Sequence, residues 1–199
     1  VLKKIINVPM LELLINRVKN TTSVDRIIIA TSDSQKDDKI SSFLKGKKDI
    51  NLFRGSEKNV LERFFFAAKN YKLDYILRIT ADNPFFDWII ADKLIEKIKK
   101  TNIDFVANNI KPSFPYGIDL EVMTFDSLAI AYENASSDYE LEHVTPYIRS
   151  RPEKFKISNL FNQFDQSGFS LTVDTDKDFL KVCRLYEEHG LMVTYRDLF

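Results

Sequence analysis

The sequence predicts an α/β fold built on a mostly parallel sheet. Two observations predict it. Short runs rich in β-branched residues alternate with segments whose apolar residues recur at helical spacing, and the alternation holds from residue 11 to residue 107. The clearest run, 27–29, is apolar at every position, as a strand buried between two helix layers must be. Strand–helix–strand units of this kind join by right-handed crossovers that place helices on both faces of the sheet.

The elements follow in order. Leu11, Leu14, Ile15 and Val18 share one helical face. Residues 25–31 are a β-branched run flanked by polar residues and read as a buried strand. Ser32 or Asp33 is placed to cap the next helix, which carries Ile40, Phe43 and Leu44 and stops near Gly46. Residues 50–53 form a second strand, and Ser56 then caps a helix through Val60, Leu61, Phe64, Phe65 and Ala68. Residues 75–80 make a third strand, 87–100 a third helix and 105–107 a further strand. Past Asn109 the rhythm changes. Residues 111–117 are a proline-containing loop, 120–125 a strand, 126–134 a helix, 140–150 a helix with Pro146 inside it, and 155–160 a strand. Residues 170–173 as a strand and 176–189 as a helix return to the first pattern. No repeat, low-complexity stretch or linker interrupts the chain. One domain over 1–199, with a small inserted α+β subregion at about 110–165, is expected.

Composition removes several function classes. The 29 Lys and Arg balance 29 Asp and Glu, which argues against a nucleic-acid clamp or a polybasic membrane binder. No apolar run approaches the roughly 20 residues that cross a bilayer, and no secretory signal opens the chain. A soluble, cytoplasmic protein without nucleic-acid or membrane partners is expected. The single cysteine, Cys183, excludes an internal disulfide framework. Only 5 residues are glycine, so a Gly-rich phosphate loop has little material here. Gly-x-Gly-x-x-Gly, Walker, Gly-x-Ser-x-Gly and His-Glu-x-x-His patterns do not occur. The chain opens on Val1 rather than Met, so a segment upstream of it is expected.

In such a sheet, ligands bind beyond the carboxyl ends of the strands. The residues that leave each strand are Thr31-Ser32-Asp33, Arg54-Gly55-Ser56-Glu57, Thr80-Ala81-Asp82-Asn83-Pro84, Asn108-Asn109 and Asp174-Thr175-Asp176. All five groups are polar. Hydroxyls at helix starts suit anionic oxygens. Carboxylates converging on one edge suit Mg²⁺, which takes one or two protein carboxylates plus phosphate oxygens and water. Taken singly, Ser32 and Ser56 read as plain helix caps, Asp82 as a turn former and Asp174 as a cap. Their sharing of one edge points instead to a magnesium-dependent enzyme acting on a nucleotide or phosphorylated compound. His143 beside Glu142 reads as a surface or interface residue, and Cys183 as packing.

Read in order, these motifs carry a family resemblance. They are Pro9-Met10-Leu11; Ile28-Ile29-Ala30-Thr31-Ser32; Gly55-Ser56-Glu57 through Arg63-Phe64; Arg78-Ile79-Thr80-Ala81-Asp82-Asn83-Pro84; Gly117-Ile118-Asp119-Leu120-Glu121-Val122; Glu142 through Ile148; and Thr172-Val173-Asp174-Thr175-Asp176-Lys177-Asp178. The sequence resembles the spore-coat polysaccharide biosynthesis type of cytidylyltransferase, related to CMP-sialic acid and CMP-KDO synthetases. The resemblance implies a Rossmann-like fold of the nucleotide-diphospho-sugar transferase type. It also implies attack of a sugar hydroxyl on the α-phosphate of CTP, giving a CMP-sugar and pyrophosphate. Asp82 and Asp174 match the aspartates that hold Mg²⁺ in that family. By the same resemblance, Thr31, Ser32, Gly55, Ser56, Glu57 and Thr80 lie near the nucleotide, and Gly117, Asp119, Glu121 and His143 face the sugar or support that side. The family begins with a strand and a basic Gly-containing loop that match nothing here, and Ala81 and Asn83 depart from its commoner Gly and Cys.

The expected function is therefore a Mg²⁺-dependent cytidylyltransferase for surface polysaccharide or glycoconjugate synthesis. A sugar-nucleotide-dependent glycosyltransferase and a catalytically inactive binding homologue are the alternatives. A homodimer is expected through the region around 134–160, because Val144, Tyr147 and Ile148 form an apolar stripe outside the main alternating unit.

Overall fold

The computed structural model describes residues 1–199. A tight hairpin, β1 (Lys4–Ile5) and β2 (Val8–Pro9), opens it; Ile6 and Asn7 turn it with positive φ. Helix α1 (Met10–Val18) follows without a side-chain cap. The alternating part is β3 (Ile27–Ser32), α2 (Asp38–Leu44), β4 (Ile50–Gly55), α3 (Val60–Asn70), β5 (Tyr75–Arg78), α4 (Trp88–Lys100) and β6 (Phe105–Ala107). The rest is β7 (Glu121–Thr124), α5 (Phe125–Asn134), α6 (Asp138–His143), α7 (Pro146–Arg149), β8 (Ile157–Asn159) and α8 (Asp176–His189).

The α/β expectation holds, and the sheet is mixed. Strands β3 and β4 pair in parallel, Ile27 opposite Ile50. The other four strands run in the order β5-β7-β6-β8. There β7 lies antiparallel to both neighbours while β6 and β8 pair in parallel. Three of these four strands therefore share one direction. Strand β7 reverses because the loop before it returns from the carboxyl edge of β6, where Asn108 ties it. The Asn108 side chain donates to the Ile118 carbonyl at 2.7 Å and accepts from Leu120 N–H at 2.8 Å. Helices cover both faces: α1, α4 and α8 enclose one core with Leu14, Leu94, Val106 and Tyr186, and α3 and α5 enclose another with Phe65, Met123 and Leu128. Buried Arg17 joins the first core to the C-terminal segment through the carbonyls of Phe86 and Leu191.

Several expectations are corrected. Residues 140–150 are two helices, because Pro146 has no N–H for an interior turn and opens α7 instead, after Val144 at φ 72°. Asn59, not Ser56, caps α3 by accepting from Glu62 N–H, and Thr175, not Asp174, caps α8. Neither Ser32 nor Asp33 caps α2; the intervening turn leads through Asp37. Residues 170–173 make only a bridge from Ser170 to Tyr116 rather than a strand. The stripe expected to form a dimer face is interior: Val144, Tyr147 and Ile148 are 0%, 3% and 0% exposed. They pack on Leu128 and Phe155 of their own chain, so this stripe is not a partner surface. The α7 segment that carries it covers the α3–α5 layer, which needed a lid.

Candidate active site

The carboxyl ends of the strands meet where residues 80–84, 116–121 and 172–174 converge. Asp82 leaves β5, and its backbone carbonyl accepts from Val173 N–H at 2.9 Å. That bond fixes Asp174, the next residue, on the same edge as Asp82. Asp174 is exposed. Asp82 is half-buried, and its Oδ1 is buried without a hydrogen-bond partner. A buried carboxylate oxygen in that condition has room for a water, a cation or a donor from a ligand.

Tyr116 precedes the Gly117 turn beside this group and is 57% exposed. Burial, and then the charges of Asp174, Asp119 and Asp82, push its phenol above the usual tyrosine range. The backbone places the 116–119 turn beside 171–174, on the edge that also carries Asp82. Gly117, at φ 97°, turns the chain there. A Cβ on Gly117 would stand 2.5 Å from the Thr172 backbone nitrogen, so only glycine lets 116–119 lie against 171–172. The contact is secured by Leu171 N–H donating to the Tyr116 carbonyl at 2.7 Å. Gly117 N–H then donates to Asp119 Oδ2 at 3.0 Å. Burial first, and the nearby Glu121 charge, hold the Asp119 carboxyl above the usual range against the opposing Gly117, Asn109 and Arg149 contacts.

Glu121 does not face a ligand. It is 2% exposed, and its carboxylate pairs with Arg78 at 2.8 Å and Arg149 at 3.2 Å and accepts from Thr145 Oγ1 at 2.9 Å. It locks β5, β7 and α7 together behind Asp119. His143 is exposed at the end of α6 with its ring 4.6 Å from that of Tyr139, and it makes no hydrogen bond to the 82–119–174 group.

The exits of β3 and β4 form a second, adjoining part. Thr31 and Ser32 are 6% and 4% exposed. Their hydroxyls donate to Asp37 Oδ2 at 2.7 and 2.6 Å, and Ser32 N–H adds a third bond at 3.0 Å. These donors, Ser32 before Thr31, hold the Asp37 carboxyl below its usual range. Thr31 and Ser32 therefore brace the β3–α2 turn. Arg54 clasps the same turn through the Ser32 and Ser34 carbonyls and Asp38. Gly55, Ser56 and Glu57 line an open polar cleft of 550 Å³ with Arg63 and Asp33. Ser56 Oγ accepts from Asn59 N–H at 2.9 Å, and Arg63 Nη1 donates to the Ser56 carbonyl at 2.9 Å. Arg63 Nε is buried and unpartnered, and burial pulls its guanidinium below the usual range. A Cβ on Gly55 would press on the Phe53 ring and Arg63 at 3.3 and 3.4 Å. Thr80 accepts from the Asn83 side chain at 3.0 Å and shapes the turn that carries Asp82.

The structure thus unites Asp82, Asp174, Asp119 and Gly117, assigns Thr31, Ser32, Thr80 and Glu121 to support, and leaves His143 outside. Sequence reading missed Asp37, Arg54, Arg63 and Tyr116. Tyr116, Arg54 and Arg63 sit inside or beside motifs or strand exits the sequence singles out, while Asp37 gave no signal. No group of three or more His, Cys, Asp or Glu side chains gathers to hold a metal by protein ligands alone.

A family model described as Cytidylyltransferase matches residues 1–195. An uncharacterized protein of Methanocaldococcus jannaschii is 40% identical over 185 residues, 92% of this chain and 74% of that protein. The spore coat polysaccharide biosynthesis protein SpsF of Bacillus subtilis is 32% identical over 188 residues, 91% of this chain and 77% of that protein. A cytidylyltransferase structure from Leptospira borgpetersenii superposes with a TM-score of 0.90 at 29% identity, over 96% of this chain and 82% of its own. A CMP:2-keto-3-deoxy-manno-octonic acid synthetase complexed with CTP shares the fold, with a TM-score of 0.66 at 15% identity over 94% of this chain and 91% of its own.

Proposed function

The chain belongs to the cytidylyltransferase family and is a nucleotidyltransferase; from that premise we propose that it joins CMP from CTP to a sugar hydroxyl, releasing pyrophosphate, and that the product serves polysaccharide synthesis. The observation that supports this reading is the Asp82–Val173 backbone bond, which joins the segments that carry Asp82 and Asp174. The unpartnered Asp82 Oδ1 fits a divalent cation. Asp82 and Asp174 would hold Mg²⁺, which when bound offsets charge on the transferring phosphate and the leaving pyrophosphate. The polysaccharide role is supported by the name of the Bacillus subtilis relative.

The chain's own residues do the rest. The cleft beside Gly55 and Arg63 receives the nucleotide, with the half-buried Arg63 guanidinium a fixed positive charge for it. Asp119 and Tyr116 face the side where the sugar enters. The attacking oxygen forms a bond to the α-phosphorus as the bond to the β-phosphate oxygen breaks, and the hydroxyl proton leaves to a base or water. Geometry that holds both reactants in line is the main source of such a rate increase.

Pyrophosphate release, screened across CTP, UTP, ATP and GTP with neutral and acidic sugars, tests the proposal. Release that requires CTP, Mg²⁺ and one sugar class is expected. Equal release with all four nucleotides, or transfer of a sugar from a sugar nucleotide, would contradict it.

A further inference from the structure

The turn that carries Asp82 is pinned on both sides. Toward β5, the Asn83 N–H and side chain donate to the Thr80 carbonyl and hydroxyl at 3.3 and 3.0 Å. Beyond it the chain enters the core, where Phe85, Phe86 and Asp87 are buried. Carbonyls taken into a core need donors, and two side chains from distant elements provide them. Tyr186, near the end of α8, donates its hydroxyl to the Pro84 carbonyl at 2.8 Å. Its ring stacks on Phe85, with 4.3 Å between ring centres and 3° between planes. Arg17 of α1 donates Nε to the Phe86 carbonyl at 2.9 Å and Nη1 to the Leu191 carbonyl at 3.1 Å.

Both donors are 0% exposed. Burying a guanidinium and a phenol hydroxyl costs free energy that an apolar side chain would not, so packing alone does not account for them. Burial, against the opposing charge of Arg17, holds the Tyr186 phenol above the usual tyrosine range, and it remains a donor. What the two side chains secure is the backbone that follows Asp82. Pro84 fixes its own φ and restricts Asn83 before it, so a shift of the Pro84 carbonyl passes to Asp82 through stiff chain.

The helix that supplies Tyr186 is also the one that Asp174 leads into, through the Thr175 cap. One rigid element therefore starts beside one aspartate and grips the loop of the other near its far end. On the reading above, that Asp82 and Asp174 hold the cation, we propose that Tyr186 is a positioning residue for the pair: its hydroxyl, acting through the Pro84 carbonyl, fixes Asp82 relative to Asp174, with α8 as the strut between them. Tyr186 touches no reactant. Removing its hydroxyl leaves both carboxylates in place but loosens their spacing, so affinity for the cation falls while the loaded enzyme still turns over.

Four proteins test this: the parent, Tyr186→Phe, Tyr195→Phe and Asp82→Asn. Tyr195→Phe is the matched control, because Tyr195 is also buried and its hydroxyl bonds Asn162 at 3.2 Å rather than the 82–87 loop. The Mg²⁺ concentration for half-maximal pyrophosphate release is measured beside turnover at saturating Mg²⁺. Amide exchange of Asn83, Phe85 and Phe86 is followed separately in metal-free protein. Tyr186→Phe is expected to raise the half-activating Mg²⁺ about 10-fold, to leave saturated turnover near the parent value, and to speed the exchange about 10-fold. Tyr195→Phe is expected to change none of the three. Parental Mg²⁺ dependence or parental amide exchange in Tyr186→Phe, or equal shifts in Tyr195→Phe, would overturn the proposal and leave the metal reading standing. Parental turnover and Mg²⁺ dependence in Asp82→Asn would overturn the metal reading and the proposal with it.

Discussion

Replacing Glu121 by Gln removes one charge and almost no volume. The carboxylate is 2% exposed and bridges Arg78 at 2.8 Å and Arg149 at 3.2 Å. In the variant, two guanidinium groups would share a buried pocket without a counter-charge, while Thr145 could still donate to the amide oxygen. Breaking a buried ion pair from one side costs about 3–5 kcal/mol. The arginine side chains are 18% and 31% exposed, so water relieves part of the cost and the lower end applies. For a domain of this size each kcal/mol moves Tm by about 2–4 °C, so Tm should fall by roughly 6–12 °C. Thermal melting followed by circular dichroism measures it, with pyrophosphate release assayed well below the melt. If Glu121 acted on substrate instead, Tm would stay within about 2 °C while turnover collapsed, and that pattern would refute the supporting role assigned to it.

Other outcomes follow from the same contacts. Gly117→Ala places a Cβ 2.5 Å from the Thr172 backbone in a left-handed conformation that itself costs about 1–2 kcal/mol; Tm and activity should fall together, and a variant of unchanged activity would detach this turn from the site. Asp37 has its carboxyl lowered by the Ser32 and Thr31 donors, so the stability it adds is present above the unfolded value near 3.9 and is lost as pH falls through the lower folded value. The urea midpoints of the parent and Asp37→Asn proteins should therefore differ at pH 7 and converge in strong acid, and a constant difference would break the linkage. Tyr147→Asp would bury a charge where the ring is 3% exposed against Phe155; it should unfold the protein or abolish its expression, and a stable, folded variant with altered solution mass would restore the dimer face.

The alternating first half was legible because buried parallel strands and their helices leave the plainest periodic signal, as in 27–29 against Leu11 and Leu14. Asp82 was read from the end of β5; Asp174 was read as leaving a strand that the structure reduces to a single bridge at Ser170, and it reaches the same edge through the Val173–Asp82 backbone bond. What stayed hidden depends on contacts between distant residues. Nothing local says that Glu121 meets Arg78 and Arg149 rather than a sugar, or that Thr31 and Ser32 spend their hydroxyls on Asp37. The stripe at 144–148 misled because helical spacing shows that a face is apolar without showing what covers it. Strand β7 reads as a strand from composition, but its antiparallel direction is set by Asn108 and the 111–117 loop.

The central claim is nucleotidyl transfer at the edge shared by Asp82 and Asp174, and the Mg²⁺ dependence of pyrophosphate release in Asp82→Asn and Asp174→Asn tests it most directly. Both variants should melt close to the parent protein and lose roughly two to three orders of magnitude in turnover at saturating Mg²⁺, as when a transition-state charge partner is removed. Near-parental turnover of either variant at limiting Mg²⁺ would contradict the assignment of that aspartate to the metal.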